Sequence, residues 1–264
     1  MKPKITLPLT SKLGDYSLYK MHGIDKMILR QNGGPTRAKY RRHVNYEGVR
    51  QNGKEFAGCS KMGSQIRTSL LMVDHLANFN YMNALVSIAK DLQWYDKVHQ
   101  KGSRTIHLSD QRDIIKGFNL NKEHCFDTLI TTTVVSSVDR ENLLAKVKFP
   151  MLFPGRNFHN PKKLPMFRLI ASMGIVVDME TAPTGYVPVT DKVRLSKLQQ
   201  NTSWTPTDNK FPSFDVELQY PSDIIFDEHC TLLLSVGVEF GSIDKHGEIN
   251  SVKYAGAAKV LDVG

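Results

Sequence analysis

Two tripeptides carry the residue types that hold metal: Glu123-His124-Cys125 and Glu228-His229-Cys230. Two histidines and two cysteines would complete a tetrahedral zinc set, imidazole and thiolate being donors that this ion takes. Each triplet precedes a stretch rich in β-branched residues, which places it at the start of a strand. Adjacent side chains on a strand point to opposite faces, so a His and its neighbouring Cys meet on one ion only if a bulge intervenes. The expectation is therefore no metal, with each Cys buried as a small hydrophobe. A Cys125–Cys230 disulfide is the lesser alternative, since three widely spaced cysteines do not read as a disulfide framework. The adjacent carboxylates Asp227-Glu228 read as the decoration of a turn, not as an acid and base pair.

The commoner catalytic signatures are missing. There is no G-x-x-x-x-G-K-[ST] or G-x-G-x-x-G phosphate loop, no H-E-x-x-H and no G-x-S-x-G. The expectation is a non-enzymatic protein with no cofactor and no small-molecule substrate. What chemistry remains is electrostatic. Residues 1–60 hold twelve Lys and Arg against four Asp and Glu, which accounts for most of the formal charge of +9. Arg37, Lys39, Arg41 and Arg42, with Tyr40 and Tyr46 among them, could neutralise phosphates and stack bases. The bland alternative is a solvated or self-docked arm whose charges meet acidic groups.

The elements that would position these groups fall into three stretches: a basic N-terminal arm (1–57), a helical region (58–118) and a β-sandwich (119–264). Residues 15–22 and 26–31 alternate loosely about His22-Gly23-Ile24-Asp25, which predicts a hairpin. Two strands alone do not hold together in water. Tyr16, Leu18, Tyr19, Met27 and Leu29 are thus the residues expected to dock on a surface. After Gly33-Gly34-Pro35 the basic run is expected to leave as an extended strap. Met62, Ile66, Leu70, Val73 and Ala77 recur at helical spacing and predict a helix over 60–77, followed by a second from Tyr81 to Tyr95 through Leu85, Ile88 and Leu92. So short a link makes the pair an antiparallel helical hairpin. A third, short helix is expected from Ser109 as N-cap to Gly117.

From Asp127 the vocabulary becomes that of strands: 127–135, 143–149, 166–177, 214–220, 231–240 and 252–260. Strict alternation in Phe214-Asp-Val-Glu-Leu-Gln-Tyr gives one packed and one wet face. The fold class expected is α+β, the C-terminal part an antiparallel immunoglobulin-like sandwich. No apolar run is long enough to span a bilayer, so no membrane partner is expected. Pro3 and Pro8 break the first ten residues, which argues against a signal peptide and for synthesis in the cytoplasm.

Gly14, Leu18-Tyr19-Lys20, Arg30, Gly33-Gly34, Arg50, Asn52, Glu55-Phe56 and Leu70 resemble a family of proteins of about this length from bacteria of the Bacteroides group. The likeness extends more weakly through Leu234 to Phe240 and the closing strand. That family has no established activity; the resemblance implies a basic N-terminal segment and helices joined to a β-rich C-terminal part. His22, His43 and a more basic strap depart from it. Together these readings lead to an assembly protein, a homo-oligomer whose arm docks on a neighbouring subunit in a filament, ring or phage-like particle. The alternative is a nucleic-acid or polyanion binder using Arg37, Lys39, Arg41 and Arg42.

Overall fold

The computed structural model describes residues 11–20, 26–190, 197–221, 224 and 226–264. Its contacts divide the chain into two units, residues 1–50 and 51–264. In the first unit, β1 (Ser11–Leu13), β2 (Tyr16–Lys20) and β3 (Met27–Gln31) form an antiparallel sheet in the order β1-β2-β3. The expected hairpin is present with a third strand added; its turn at 22–25 lies outside the described residues. The expected extended strap is instead a short helix, α1 (Arg37–Arg42). Pro35 restrains only the residue before it, Gly34, and Thr36 then caps the helix, its hydroxyl accepting from the Lys39 amide at 3.3 Å. Lys39, Arg41 and Arg42 fall in its last turn, where cations suit the helix dipole.

A turn of 3-10 helix (Val44–Tyr46) leads into α2 (Glu47–Ser69), which carries the chain into the second unit. This helix starts well before the expected residue 60. Glu55, Gly58 and Cys59 extend the buried stripe of Met62 and Ile66, but a carboxylate and a glycine make no apolar pattern. It also ends earlier, because Leu70, Val73 and Leu76 are buried along a chain that winds on in tighter turns. α3 (Met82–Tyr95) lies where the second helix is expected and buries Leu85, Ala89 and Leu92. The third helix is reduced to a 3-10 turn, Arg112–Ile115. Ser109 does not cap it, since its hydroxyl and amide are both given to Asp178. The strand expected over 127–135 is a short helix, α4 (Phe126–Leu129), and loop. Asn119 and Asn121 take the amides of Phe126, Glu123 and His124, which diverts the backbone from a ladder.

The body is built on one long antiparallel pair. β6 (Met166–Val177) runs beside β12 (Cys230–Ile243) from Met166↔Gly241 to Val177↔Cys230. β9 (Lys197–Asn201) and β10 (Thr205–Pro206) extend the sheet beyond β6; β13 (Ile249–Ser251) and β14 (Ala257–Val263) extend it beyond β12. A second sheet has the order β11-β5-β4, made of β4 (Val135–Asp139), β5 (Leu144–Phe149) and β11 (Phe214–Gln219). β7 (Met179–Ala182) and β8 (Gly185–Pro188) form a separate hairpin.

Alternation sorts the long strands into two cores. Phe167, Leu169, Ala171, Met173, Ile175 and Val177 of β6, with Leu232, Leu234, Val236, Val238 and Phe240 of β12, share a cluster with Ala145, Val147, Phe149, Val216 and Leu218 of the second sheet. The opposite face, with Ile170, Val176 and Leu233, packs on Met62, Ile66, Leu70, Leu76 and Leu85. The second unit is therefore three layers, helices on sheet on sheet, and strands covered on both faces read as near-continuous apolar runs. Tyr186 of β8 lies against Gly58 of α2, its hydroxyl accepting from Gln93 Nε2 at 2.9 Å. Glu55, buried, accepts from Lys90 Nζ and from the Gly102 amide, each at 2.8 Å, and these donors outweigh burial to hold its pKa below the ordinary value.

Candidate functional site

The register of the first sheet decides which side the arm residues take. Leu18 faces Leu29, Lys20 faces Met27 and Tyr16 faces Gln31 across the β2/β3 pair. Directly opposed residues share a face, so Tyr16, Leu18, Met27 and Leu29 line one side, while Tyr19 lies on the other opposite Ile28. Four of the five residues singled out from sequence are thus brought together and one is not. The apolar side is bare: Leu29 is 61% exposed, Tyr16 44% and Met27 41%. Among the described residues, no side chain from 14 to 50 is buried.

Arg37, Lys39, Arg41 and Arg42 are all exposed on α1, and none has an ion-pair partner among the described residues. Tyr40 and Tyr46 pack at 6.1 Å between ring centroids, with His43 edge-on to Tyr46 at 6.2 Å. Arg50 is the basic residue that is tied down here, donating to the carbonyls of Tyr40 and His43 and pairing with Glu47.

The two Glu-His-Cys triplets go separate ways. Cys125 precedes α4, not a strand, and is only partly buried, its Sγ 3.9 Å from the Asn121 carbonyl. Cys230 begins β12, buried, with Sγ 3.2 Å from Asp227 Oδ1; burial pushes its thiol up to about 12. Cys59, Cys125 and Cys230 are free thiols, so the disulfide alternative does not hold. Among the described residues, no group of three or more His, Cys, Asp or Glu is arranged to hold a metal.

His229 turns instead toward Asp178, Nδ1 to Oδ2 3.6 Å, with the His107 ring 5.9 Å from its own. Asp178 is fully buried and accepts from the amides of Leu108 at 2.8 Å and Ser109 at 3.1 Å and from the Ser109 hydroxyl. Burial raises its pKa, and the Ser109 hydrogen bonds oppose the rise. Ser109 donates its hydroxyl and amide to the buried carboxylate, and the group closes the 107–109 loop onto the sheet end. A carboxylate inside the apolar run Val177-Asp178-Met179 was the sequence signal for this cluster.

Among the described residues, no helix is long and apolar enough to cross a membrane. No family model, curated protein or solved structure matches the chain.

Proposed function

We propose that the chain is a non-enzymatic structural protein whose N-terminal arm docks on a neighbouring copy, building a ring, a filament or a phage-like particle. The observation that carries this reading is the bare first sheet. Tyr16, Leu18, Met27 and Leu29 line one face, yet no described side chain from 14 to 50 is buried. A sheet with one apolar face gains stability only when that face is covered. Head-to-tail docking of one copy on the next closes into a ring or runs on as a filament.

The body is read as an immunoglobulin-like sandwich. One antiparallel sheet holds β4, β5 and β11 and the other β6, β9, β10, β12, β13 and β14, and their inner faces share one core, which supports a sandwich of two packed antiparallel sheets. Light scattering and electron microscopy of the full chain should reveal assemblies, and M27D with L29D should disperse them to monomers. A full-length protein that remains monomeric at high concentration defeats the reading.

The four exposed cations of α1, which have no ion-pair partner among the described residues, stand beside the Tyr40–Tyr46 pair and favour a second reading, polyanion binding. Anisotropy titrations with single-stranded and duplex DNA should then show affinity falling steeply with salt. Changing Arg37, Lys39, Arg41 and Arg42 to Ala should flatten the log–log slope by about 3. No binding at low salt removes this alternative.

A further inference from the structure

An open cleft of about 940 Å³ lies on the helix-facing side of the β6/β12 pair, bounded by the 74–81 connection and by the 251–254 turn. Arg168 and Glu239 stand directly opposite each other on the two strands. Glu239 is buried; one carboxylate oxygen takes Arg168 Nε at 2.6 Å and the other His75 Nε2 at 3.3 Å. The Arg168 guanidinium also stacks on Trp204, 4.7 Å from the ring centroid. One edge of the fork is thereby fixed by a buried carboxylate and one face by an indole. Among the described residues, its two terminal nitrogens have no hydrogen-bond partner.

The other charges of the cleft have the same bias. Asp74 is spent on Arg67, at 3.3 and 3.4 Å, and on the Tyr81 hydroxyl. Lys253 lines the cleft, exposed, and among the described residues has no ion-pair partner. Each carboxylate is paired with an arginine, Asp74 with Arg67 and Glu239 with Arg168. Among the described residues the Lys253 ammonium is thus the cleft's unbalanced charge, and the terminal nitrogens of Arg168 are its oriented, unengaged donors. Phe79 and Tyr254 add aromatic surface. Tyr254 holds a left-handed backbone, φ 59°, while 54% exposed. A bulky residue is strained there, and such strain gathers at ligand clamps.

We propose that this cleft binds a small organic oxyanion, a carboxylate or phosphate ester joined to a planar apolar body, with the terminal nitrogens of Arg168 and the Lys253 ammonium on the charge and Tyr254 against the ring. A planar fork held at its Nε suits the two oxygens of either group. The binding site is independent of the arm and of any assembly.

W94F leaves Trp204, stacked on Arg168, as the only indole, since the chain has two tryptophans. Its fluorescence is followed while phenyl phosphate, benzoate and inorganic phosphate are added at constant ionic strength. A saturable change is expected with at least one aromatic anion, and a weaker response with inorganic phosphate. Preference between phenyl phosphate and benzoate identifies the anionic group. R168K, which keeps the charge and loses the fork, should weaken binding by about tenfold. K253A, at an exposed side chain, should weaken it with no change in thermal unfolding. The absence of saturation with both aromatic anions, or unaltered affinity in both variants, overturns the proposal.

Discussion

Alanine at Gly174 is expected to destabilise the body by about 3 kcal/mol, and valine by more. Gly174 lies on the face of β6 that meets the helices, and a Cβ there would sit 2.5 Å from the Ser69 carbonyl oxygen, 2.6 Å from its Cβ and 2.8 Å from its Cα. These are atoms at the end of α2, where the Ser69 hydroxyl is itself fixed to the Ile66 carbonyl at 2.7 Å. Relief requires helix and sheet to part, which strips contacts along the whole interface. At Gly237 the nearest atom is the end of the Leu76 side chain, at 2.6 Å, so a rotamer change absorbs much of the clash and G237A should cost about 1 kcal/mol. Gly48 has nothing within 4 Å in the first turn of α2, and G48A should be neutral or stabilise by up to about 1 kcal/mol. Urea unfolding of the three variants tests the order. If G174A unfolds at the urea concentration of the parent, the helices do not lie as close to the sheet as their packing requires.

That close approach bears on what could be read from residue order alone. The strand over Met166–Val177 was legible because both of its faces are covered, which leaves an uninterrupted apolar run. β11 was legible for the opposite reason: one face is wet, and its alternation is strict. The first half of α2 was hidden because its buried face is Glu55, Gly58 and Cys59, and a glycine chosen to admit the Tyr186 ring looks like a helix breaker. The apolar arm face was partly legible; period two separates Tyr19 from Leu18, and only the register joins Leu18 to Leu29. The helical form of α1 was not legible, since Pro35 restrains only the residue before it and says nothing of the basic run that follows. The cleft was out of reach. Arg168 and Glu239 are 71 residues apart, and a slip of one residue between β6 and β12 would put them on opposite faces.

Glu239 carries a pH signature that reports on the cleft. Its carboxyl is buried, and burial alone would raise its pKa. The His75 and Arg168 side chains, with Ser251, more than offset this and hold it down to about 2, against an ordinary 4.5. The unfolded chain therefore binds this proton more readily than the native one, so stability rises with pH between the two values. The contribution is complete above about pH 4.5 and lost as the pH falls through about 2. Its size is about 3 kcal/mol. E239Q cannot titrate, and it leaves the Arg168 guanidinium half-buried without its counter-charge, so it should be less stable than the parent at neutral pH. Other acids titrate in both proteins and cancel in the difference. Urea unfolding of the pair from pH 7 to pH 2 should show the parent's advantage constant down to about pH 5, then shrinking by about 3 kcal/mol toward pH 2. An advantage as large at pH 2 as at pH 7 would mean that the ionised carboxylate is not what joins β6 to β12 beneath the cleft. The Arg168 fork would then have no fixed anchor from which to meet an anion.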